Sequence, residues 1–338
     1  MRTLLTRALL AALLPLFSTS CETTRYDVPR GEEPTSRVTR SDPFAPRVGD
    51  EIVICGRRFS TGGAPVVLWN ETGGYNAYST RNHFSYTTPK SEKRYTPGRV
   101  RKNSDESRSQ LVDSRATDPM DISGVVDQFV LHYDVCGTSQ TCFRVLHDER
   151  CLSVHFLLDV DGTIYQTMDV RDQAWHASQA NLRSVGVEIA HIGAYPSGNA
   201  GKLDEWYDSD PLGPFVRPEK IDDRGVRTPG FLARPASKNR IVGTIHGRTY
   251  EQYDFTREQY DSLAKLAATL NRVLPGIRLD APRDEDRRIQ STALSDGELD
   301  AFQGILGHFH VTERKQDPGP AFDWEAFLRQ ARDESFSN

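Results

Sequence analysis

Short apolar runs between residues 127 and 192 most constrain what this chain can fold into. The run DQFVLHY carries His132 near its end, and SVHFLLDVDGTIYQT consists of two runs joined by Asp161-Gly162, a dipeptide suited to a tight hairpin turn. The run SVGVEIAHI alternates, so that Glu188 lies among small residues on one face of an extended chain. These runs predict strands of one sheet.

A helix with clear boundary signals follows these strands. Thr256 and Gln259 form a capping box, Phe255 and Tyr260 are placed to form a hydrophobic staple, and apolar residues keep helical spacing up to a Pro-Gly pair. The later run FQGILGHFHV reads as a final strand, and Asp323 is placed to cap a closing helix. Strands mixed with helices predict an α/β domain.

Composition predicts one main domain with smaller N-terminal parts. The chain has 338 residues, 37% of them hydrophobic, which is enough for one sizeable core. Its net charge of −5 and interleaved charges exclude the basic field that nucleic acid binding requires. The predicted segments are a signal peptide (1–21), a polar tether (22–46), a small β-rich extension (47–98), a polar linker (99–120) and the main domain (121–334).

The N-terminus has the features of an export signal. Arg2 and Arg7 flank an apolar run over residues 8–17 that is too short to span a bilayer. The following STSC resembles the lipobox of bacterial lipoproteins, although Ser18 stands where leucine is usual. We expect a periplasmic protein or a membrane lipoprotein anchored through Cys21, with ordinary signal cleavage as the alternative.

Four further cysteines remain, an even number that suggests disulfides in an exported chain. Three pairings are open. Cys136 and Cys142 could close a short loop and leave Cys55 to reach Cys151, while free buried thiols are the alternative.

Histidines and one aspartate suggest a metal site. On the predicted final strand His308 and His310 share a face, His132 ends another apolar strand, and Asp317 offers a carboxylate. Three protein ligands and a water form a catalytic zinc site, whereas a fourth protein ligand closes it. Spacing alone does not choose the ligands, and each imidazole could instead be hydrogen-bonded in the core or lie at the surface.

A family resemblance covers roughly residues 124–330. The segments FVLHYD, VHFLLDVDGTIYQ, AWHA, NLRSVGVEIA, FTREQYDSLAKL and GHFHVTERKQDPGPAFDW occur in the order typical of the amidase-2 family. The chain thus resembles zinc N-acetylmuramoyl-L-alanine amidases, which are related to bacteriophage T7 lysozyme and the peptidoglycan recognition proteins. The resemblance implies a central mixed β-sheet flanked by helices and an enzyme that hydrolyses the bond between N-acetylmuramic acid and L-alanine.

The resemblance also implies roles for individual residues. It makes His132, His308 and Asp317 the zinc ligands, with His310 only a neighbour. Glu188 matches the catalytic glutamate, and a residue two before the aspartate, Lys315, matches the lysine that stabilises the oxyanion.

Further residues match the substrate cleft of the family. His176 and the adjacent Trp175 fall in its lining, and Val154 stands where T7 lysozyme has a catalytic tyrosine, which favours the glutamate branch. Cys136 and Cys142 resemble a disulfide of the recognition proteins. Residues 194–245 exceed the family minimum and are expected to wall the cleft.

Two other functions remain open at this stage. One is a non-catalytic peptidoglycan-binding module, which usually lacks a metal ligand, whereas this chain has all three. The other is a structural zinc domain, for which His310 would supply the fourth ligand.

Overall fold

The computed structural model describes residues 49–101, 110–112 and 114–337. The predicted signal peptide, Cys21 and the tether lie outside the described residues. Within the described part of the chain, no helix is both long and apolar enough to cross a membrane.

The described residues form strands and helices with the following bounds. The strands are β1 (Glu51–Ile54), β2 (Arg57–Ser60), β3 (Val66–Leu68), β4 (Tyr95–Thr96), β5 (Arg99–Arg101), β6 (Gln110–Val112), β7 (Gln128–Tyr133), β8 (Phe156–Leu158), β9 (Ile164–Gln166), β10 (Gln173–Ala174), β11 (Ser184–Ile189), β12 (Tyr195–Pro196), β13 (Tyr207–Asp210), β14 (Gly213–Val216), β15 (Ile241–Ile245), β16 (Arg248–Gln252) and β17 (Gly304–Gly307). The helices are α1 (Pro119–Ser123), α2 (Ser139–Phe143), α3 (Gly201–Trp206), α4 (Pro218–Ile221), α5 (Arg257–Val273), α6 (Asp296–Ala301), α7 (His308–Val311) and α8 (Trp324–Ser337), with a π-helix at Arg144–Arg150 and a 3-10 helix at Ser178–Leu182.

A mixed six-stranded sheet organises the domain, in the order β17-β7-β11-β8-β9-β3. All neighbours are parallel except β8 and β9, which form the antiparallel hairpin that Asp161-Gly162 predicts. The sheet is flanked by helices, so the predicted α/β fold class is confirmed. On β11 the apolar residues Val185 and Val187 join the core formed with α5 and α8, which leaves the other face for polar side chains.

One strand of the N-terminal β-rich segment belongs to this sheet. β1 and β2 form a hairpin, but β3 is the edge strand of the main sheet and pairs in parallel with β9. The predicted β-rich extension over residues 47–98 thus contributes one strand to the main sheet, and a β-rich run in the sequence does not reveal which strand it will pair with. The polar segment predicted as a linker contains the antiparallel pair β5 and β6.

The predicted final strand is wrong beyond Gly307, where β17 ends and α7 begins. Two hydrogen bonds hold this single helical turn: locally the Gly307 N–H donates to His310 Nδ1, and the Phe309 N–H donates to the Asp317 carbonyl further along the chain. Apolar spacing alone did not reveal them. His308 and His310 consequently do not share the face of a strand.

The predicted helix boundaries are confirmed for α5 and α8. Thr256 accepts from the Gln259 N–H and its Oγ1 also donates to the Val160 carbonyl, 2.8 Å away. Asp323 accepts from the Ala326 N–H at the start of α8. The Thr256 hydroxyl thereby ties α5 to the β8–β9 hairpin as well as capping the helix.

We predict that Thr256→Ala lowers the free energy of unfolding by about 1–2 kcal/mol, because it removes the cap and leaves the buried Val160 carbonyl without its donor. Urea unfolding measures this difference. Thr256→Ser, which keeps the hydroxyl, should stay close to the wild type. Equal losses in both variants would show that the methyl group, not the hydroxyl, stabilises this helix end.

Candidate metal centre and cleft

The site lies at the carboxyl ends of three parallel strands. The register of β7 and β11 places Glu188 opposite His132. β17 runs parallel to β7 and ends at Gly307, so that His308 follows directly at the same edge. This edge of a parallel sheet is where side chains from separate strands converge on a ligand.

Two imidazole nitrogens and one carboxylate oxygen form a triangle at this edge. His132 Nδ1 lies 2.9 Å from His308 Nδ1 and 3.0 Å from Asp317 Oδ2, and His308 Nδ1 lies 3.0 Å from the same oxygen. Ligands of a tetrahedral zinc ion with bonds near 2 Å are separated by about 3.3 Å. The three predicted ligands therefore form a buried donor set of the size and chemistry that fits one zinc ion.

The protonation of two of these donors also suits a metal. Burial, together with the neighbouring His308, lowers the pKa of His132 to about 4, so its imidazole is neutral at pH 7. Burial alone would raise the pKa of Asp317, but the charge of His308 and hydrogen bonds from both imidazoles outweigh it and hold this pKa well below its usual range. Metal ligands must be deprotonated, and these groups are.

His310 is turned away from the triangle. Its Nδ1 accepts from the Gly307 N–H at 2.9 Å, and its Nε2 donates to the Gln290 carbonyl at 2.8 Å. Both ring nitrogens are thus used by backbone groups. The position agrees with the prediction that His310 is a neighbour rather than a ligand, and it removes the fourth ligand that a structural zinc site would need.

His176 contacts His132, one of the three residues of the donor triangle. Its Nδ1 lies 3.0 Å from His132 Nε2, and its Nε2 lies 3.3 Å from Ser184 Oγ. A Cβ atom at Gly186 would meet the His176 ring at 2.6 Å, so only glycine leaves room for this imidazole. Trp175 lines the same cleft. The resemblance implied a place in the cleft lining, but it did not predict the contact with His132.

All seven predicted site residues line one open cleft of about 430 Å³. Glu188 is half-buried on its floor, and its Oε2 has no hydrogen-bond partner in the described structure. Burial, Asp317 and Asp134 raise the pKa of Glu188 well above its ordinary value. Lys315 is exposed at the rim of the same cleft. The Glu188 carboxyl group, the Lys315 ammonium group and the donor triangle therefore line one cleft.

Asp134 is a site residue that sequence reasoning missed. Its Oδ1 accepts from the N–H groups of Cys136, Gly137 and His191, which joins the loop after β7 to the end of β11. Burial raises the pKa of Asp134 to about 7. The available signal was an aspartate followed by Cys136 and Gly137 at a strand end, where such a side chain often caps a turn.

The four cysteines in the described residues are free thiols. Cys142 is buried in a small apolar cluster against which Cys136 packs, and the two thiols are close enough to interact. Cys55 belongs instead to the main core, and the Cys151 thiol lies 3.7 Å from the Ser91 carbonyl. The predicted disulfides thus remain predictions.

The long segment over residues 194–245 contributes to the cleft only through its first part. Ala194, Tyr195 and Pro196 line it, with Tyr195 and Pro196 forming β12 against β16. Most of the segment builds a separate apolar cluster with α3, β13 and β14. The prediction that these residues wall the cleft is therefore confirmed only for their beginning.

The sequence match identifies the family. Residues 123–320, more than half of the chain, match the family model Amidase_2, described as N-acetylmuramoyl-L-alanine amidase. The chain belongs to this family of hydrolases. A search of the curated proteins by sequence found no match.

Solved structures of amidases show a weaker likeness. A selenomethionine derivative of AmpD has 18% identity and a TM-score of 0.31, over 62% of this chain and 86% of that one. AmiD from E. coli, solved in complex with anhydro-N-acetylmuramic acid-L-Ala-D-gamma-Glu-L-Lys, has 18% identity and a TM-score of 0.35, over 65% of this chain and 62% of that one. LysC from Clostridium intestinale URNW has 15% identity and a TM-score of 0.33, over 62% of this chain and 88% of that one. The family assignment rests on the sequence match alone.

We predict that His308→Ala abolishes tight zinc binding, because it removes one corner of the donor triangle, whereas His310→Ala keeps it. Zinc affinity is measured by competition with a chromogenic chelator on folded protein. His310→Ala should lower stability, since two backbone groups lose their partner. Loss of zinc from the His310 variant with retention in the His308 variant would show that the ligands are wrongly assigned.

Proposed function

We propose that the protein is a zinc-dependent N-acetylmuramoyl-L-alanine amidase that hydrolyses the amide bond between N-acetylmuramic acid and L-alanine in peptidoglycan or its fragments. The observation that carries this proposal is the triangle of His132, His308 and Asp317 in the same cleft as the unpaired oxygen of Glu188. Family membership supplies the reaction class.

The donor set indicates how a metal would be held. Zinc bound by the three ligands would act as a Lewis acid that activates water and the scissile carbonyl. With Nδ1 as its ligand atom, His132 carries its proton on Nε2 and donates to His176 Nδ1, which leaves the His176 proton for Ser184 Oγ. Such a partner fixes the orientation of a metal-bound imidazole.

The remaining groups suit proton transfer and charge stabilisation. Glu188 has a free oxygen and a raised pKa, which suits a residue that takes a proton from water and passes it to the leaving amine. The position of Lys315 at the rim of the same cleft supports a role in stabilising the negative charge that develops on the carbonyl oxygen.

Digestion of purified muropeptides with and without a chelator tests the function, followed by mass analysis of the products. We expect the protein to release the intact stem peptide with an N-terminal alanine. The chelator should abolish this release, and added zinc should restore it. If the zinc-loaded protein binds muropeptide or sacculi but cleaves neither, the proposed enzyme activity is wrong and the non-catalytic binding module is the better function.

We predict that Glu188→Gln lowers kcat by at least about 10²-fold, since a positioned general base contributes about 10² to 10⁴-fold. The change keeps the side-chain volume, so zinc content and muropeptide affinity should stay near wild type. Glu149→Gln is the matched control, because Glu149 is exposed and pairs with Arg144 outside the cleft. Turnover at the wild-type rate by Glu188→Gln would exclude this residue as the base.

The location of the protein is a separate part of the proposal. The N-terminal run and the lipobox-like STSC support export and attachment to a membrane through a lipid on Cys21. An exported protein would also meet an oxidising compartment, in which the neighbouring thiols of Cys136 and Cys142 could form the disulfide suggested by the family resemblance.

We predict that Cys21→Ser moves the protein from the membrane fraction to the soluble fraction of exported protein, because the lipid acceptor is lost. Fractionation followed by immunoblotting measures this shift, with Cys55→Ser as the control. Unchanged fractionation of Cys21→Ser would refute the lipid anchor and leave the amidase function untouched.

A further inference from the structure

A short segment that precedes the family match reaches the wall of the cleft. Residues 94–99 contain β4 and the start of β5, whereas the family match begins at residue 123. β4 pairs antiparallel with β10, with Thr96 opposite Gln173 and Tyr95 opposite Ala174. β10 leads directly into Trp175 and His176, so this pairing fixes the backbone that carries both cleft residues. We name residues 94–99 the support segment.

The support segment holds Trp175 by hydrogen bonds. The indole Nε1–H donates to Thr96 Oγ1 at 3.0 Å. The Trp175 N–H donates to Ser153 Oγ at 3.0 Å, and this hydroxyl donates in turn to the Arg94 carbonyl at 2.6 Å. Both the ring and the backbone of Trp175 are thus tied to the support segment.

The same segment also contacts a neighbour of His176 through Arg99. Arg99 is fully buried, its Nε and Nη2 donate to the Val170 carbonyl at 3.0 and 2.8 Å, and its Nη1 donates to the Ser184 carbonyl at 2.9 Å. Ser184 is the residue whose hydroxyl contacts His176 Nε2. Burial lowers the pKa of Arg99 only to about 10, so the guanidinium stays charged at neutral pH.

His155 completes the packing between Arg99 and His176. Its Nδ1 accepts from the Gly186 N–H at 3.1 Å, and its Nε2 lies 2.9 Å from both Arg99 Nη2 and the Asp172 carbonyl. The rings of His155 and His176 meet edge to face, with centroids 6.0 Å apart. His155 thus links Arg99 to the His176 ring in a buried layer.

We propose that Thr96 and Arg99 are positioning residues of the cleft: Thr96 fixes the indole of Trp175 for the substrate, and Arg99, through Ser184, fixes His176 and with it the metal ligand His132. Neither side chain touches the reacting atoms. The substrate part rests on the proposed amidase function, whereas the metal part requires only that the donor triangle binds zinc.

Thr96→Val tests the substrate part, because it keeps the branched shape and removes the acceptor of the indole N–H. We expect KM for muropeptide to rise about fivefold, as for one lost hydrogen bond, with kcat nearly unchanged. Thr96→Ser should restore the wild-type KM. Thr269→Val is the control, since this residue lies on α5 outside the cleft and its buried hydroxyl bonds to the carbonyls of Lys265 on α5 and Ser60 on β2.

The same Thr96 variants can be compared without turnover by combining each with Glu188→Gln. Calorimetry then measures their affinity for muropeptide. If wild-type protein does not cleave but this affinity falls for Thr96→Val and recovers for Thr96→Ser, the amidase function fails and the positioning role stands. Equal behaviour of the valine and serine variants, or a KM change matched by Thr269→Val, would overturn the role of Thr96.

Arg99→Lys tests the metal part, because one ammonium group cannot replace a guanidinium that bonds to both Val170 and Ser184. We expect zinc affinity to fall about tenfold, the lower end for loss of an outer partner of a metal ligand. Arg94→Lys is the matched control: Arg94 is equally buried in the same segment, but it bonds to His147, Ser79 and Asn82.

Ser184→Ala gives a milder variant in case Arg99→Lys does not fold, and it should also weaken zinc binding. Unchanged zinc affinity in folded Arg99→Lys or Ser184→Ala, or an equal loss in Arg94→Lys, would overturn the proposed role of Arg99. The chelator competition uses the full chain without substrate, so it is independent of the amidase assay.

Discussion

The parallel register between β7 and β11 is the constraint on which the site depends. It places Glu188 opposite His132 on the polar face of the sheet, while the intervening residues of both strands fill the core against α5 and α8. Because side chains alternate, a shift of one residue would bury Glu188 among apolar helices and expose the core. The same apolar contacts that stabilise the fold therefore fix the distance between the Glu188 carboxyl group and the donor triangle.

Charge in the cleft is arranged by depth. Three carboxyl groups, Glu188, Asp134 and Asp317, lie toward its floor, while Arg150, Arg314 and Lys315 are exposed at its rim. Burial and mutual repulsion raise the pKa of Glu188, whereas the imidazoles keep Asp317 ionised. A bound dication would offset this negative floor, and the rim cations suit a substrate that carries carboxylates.

The sequence predicts those features of the structure that depend on residues close together in the chain. The capping box of α5 and the Asp161-Gly162 turn depend on neighbours in sequence, and both predictions were confirmed. The end of β17 was missed, because the turn beginning at His308 depends on contacts with Asp317 and on the His310 ring. The ligand triangle joins residues far apart in the chain, so only the family resemblance could assemble it beforehand.

The support segment shows why one part of a site escapes sequence comparison. Arg94 and Arg99 donate chiefly to backbone carbonyl groups, which every residue type possesses. The Arg99 guanidinium donates to the carbonyls of Val170 and Ser184. The acceptors therefore need no particular side chain, and no pattern within residues 123–320 signals that a cation must arrive from outside. Two buried cations nevertheless require several fixed acceptors each, because a guanidinium taken from water without them is costly. For Arg99 this requirement fixes the support segment against Val170 and Ser184, which lie on either side of the loop that carries Trp175 and His176, and it makes the geometry of the cleft depend on a residue that precedes the matched domain.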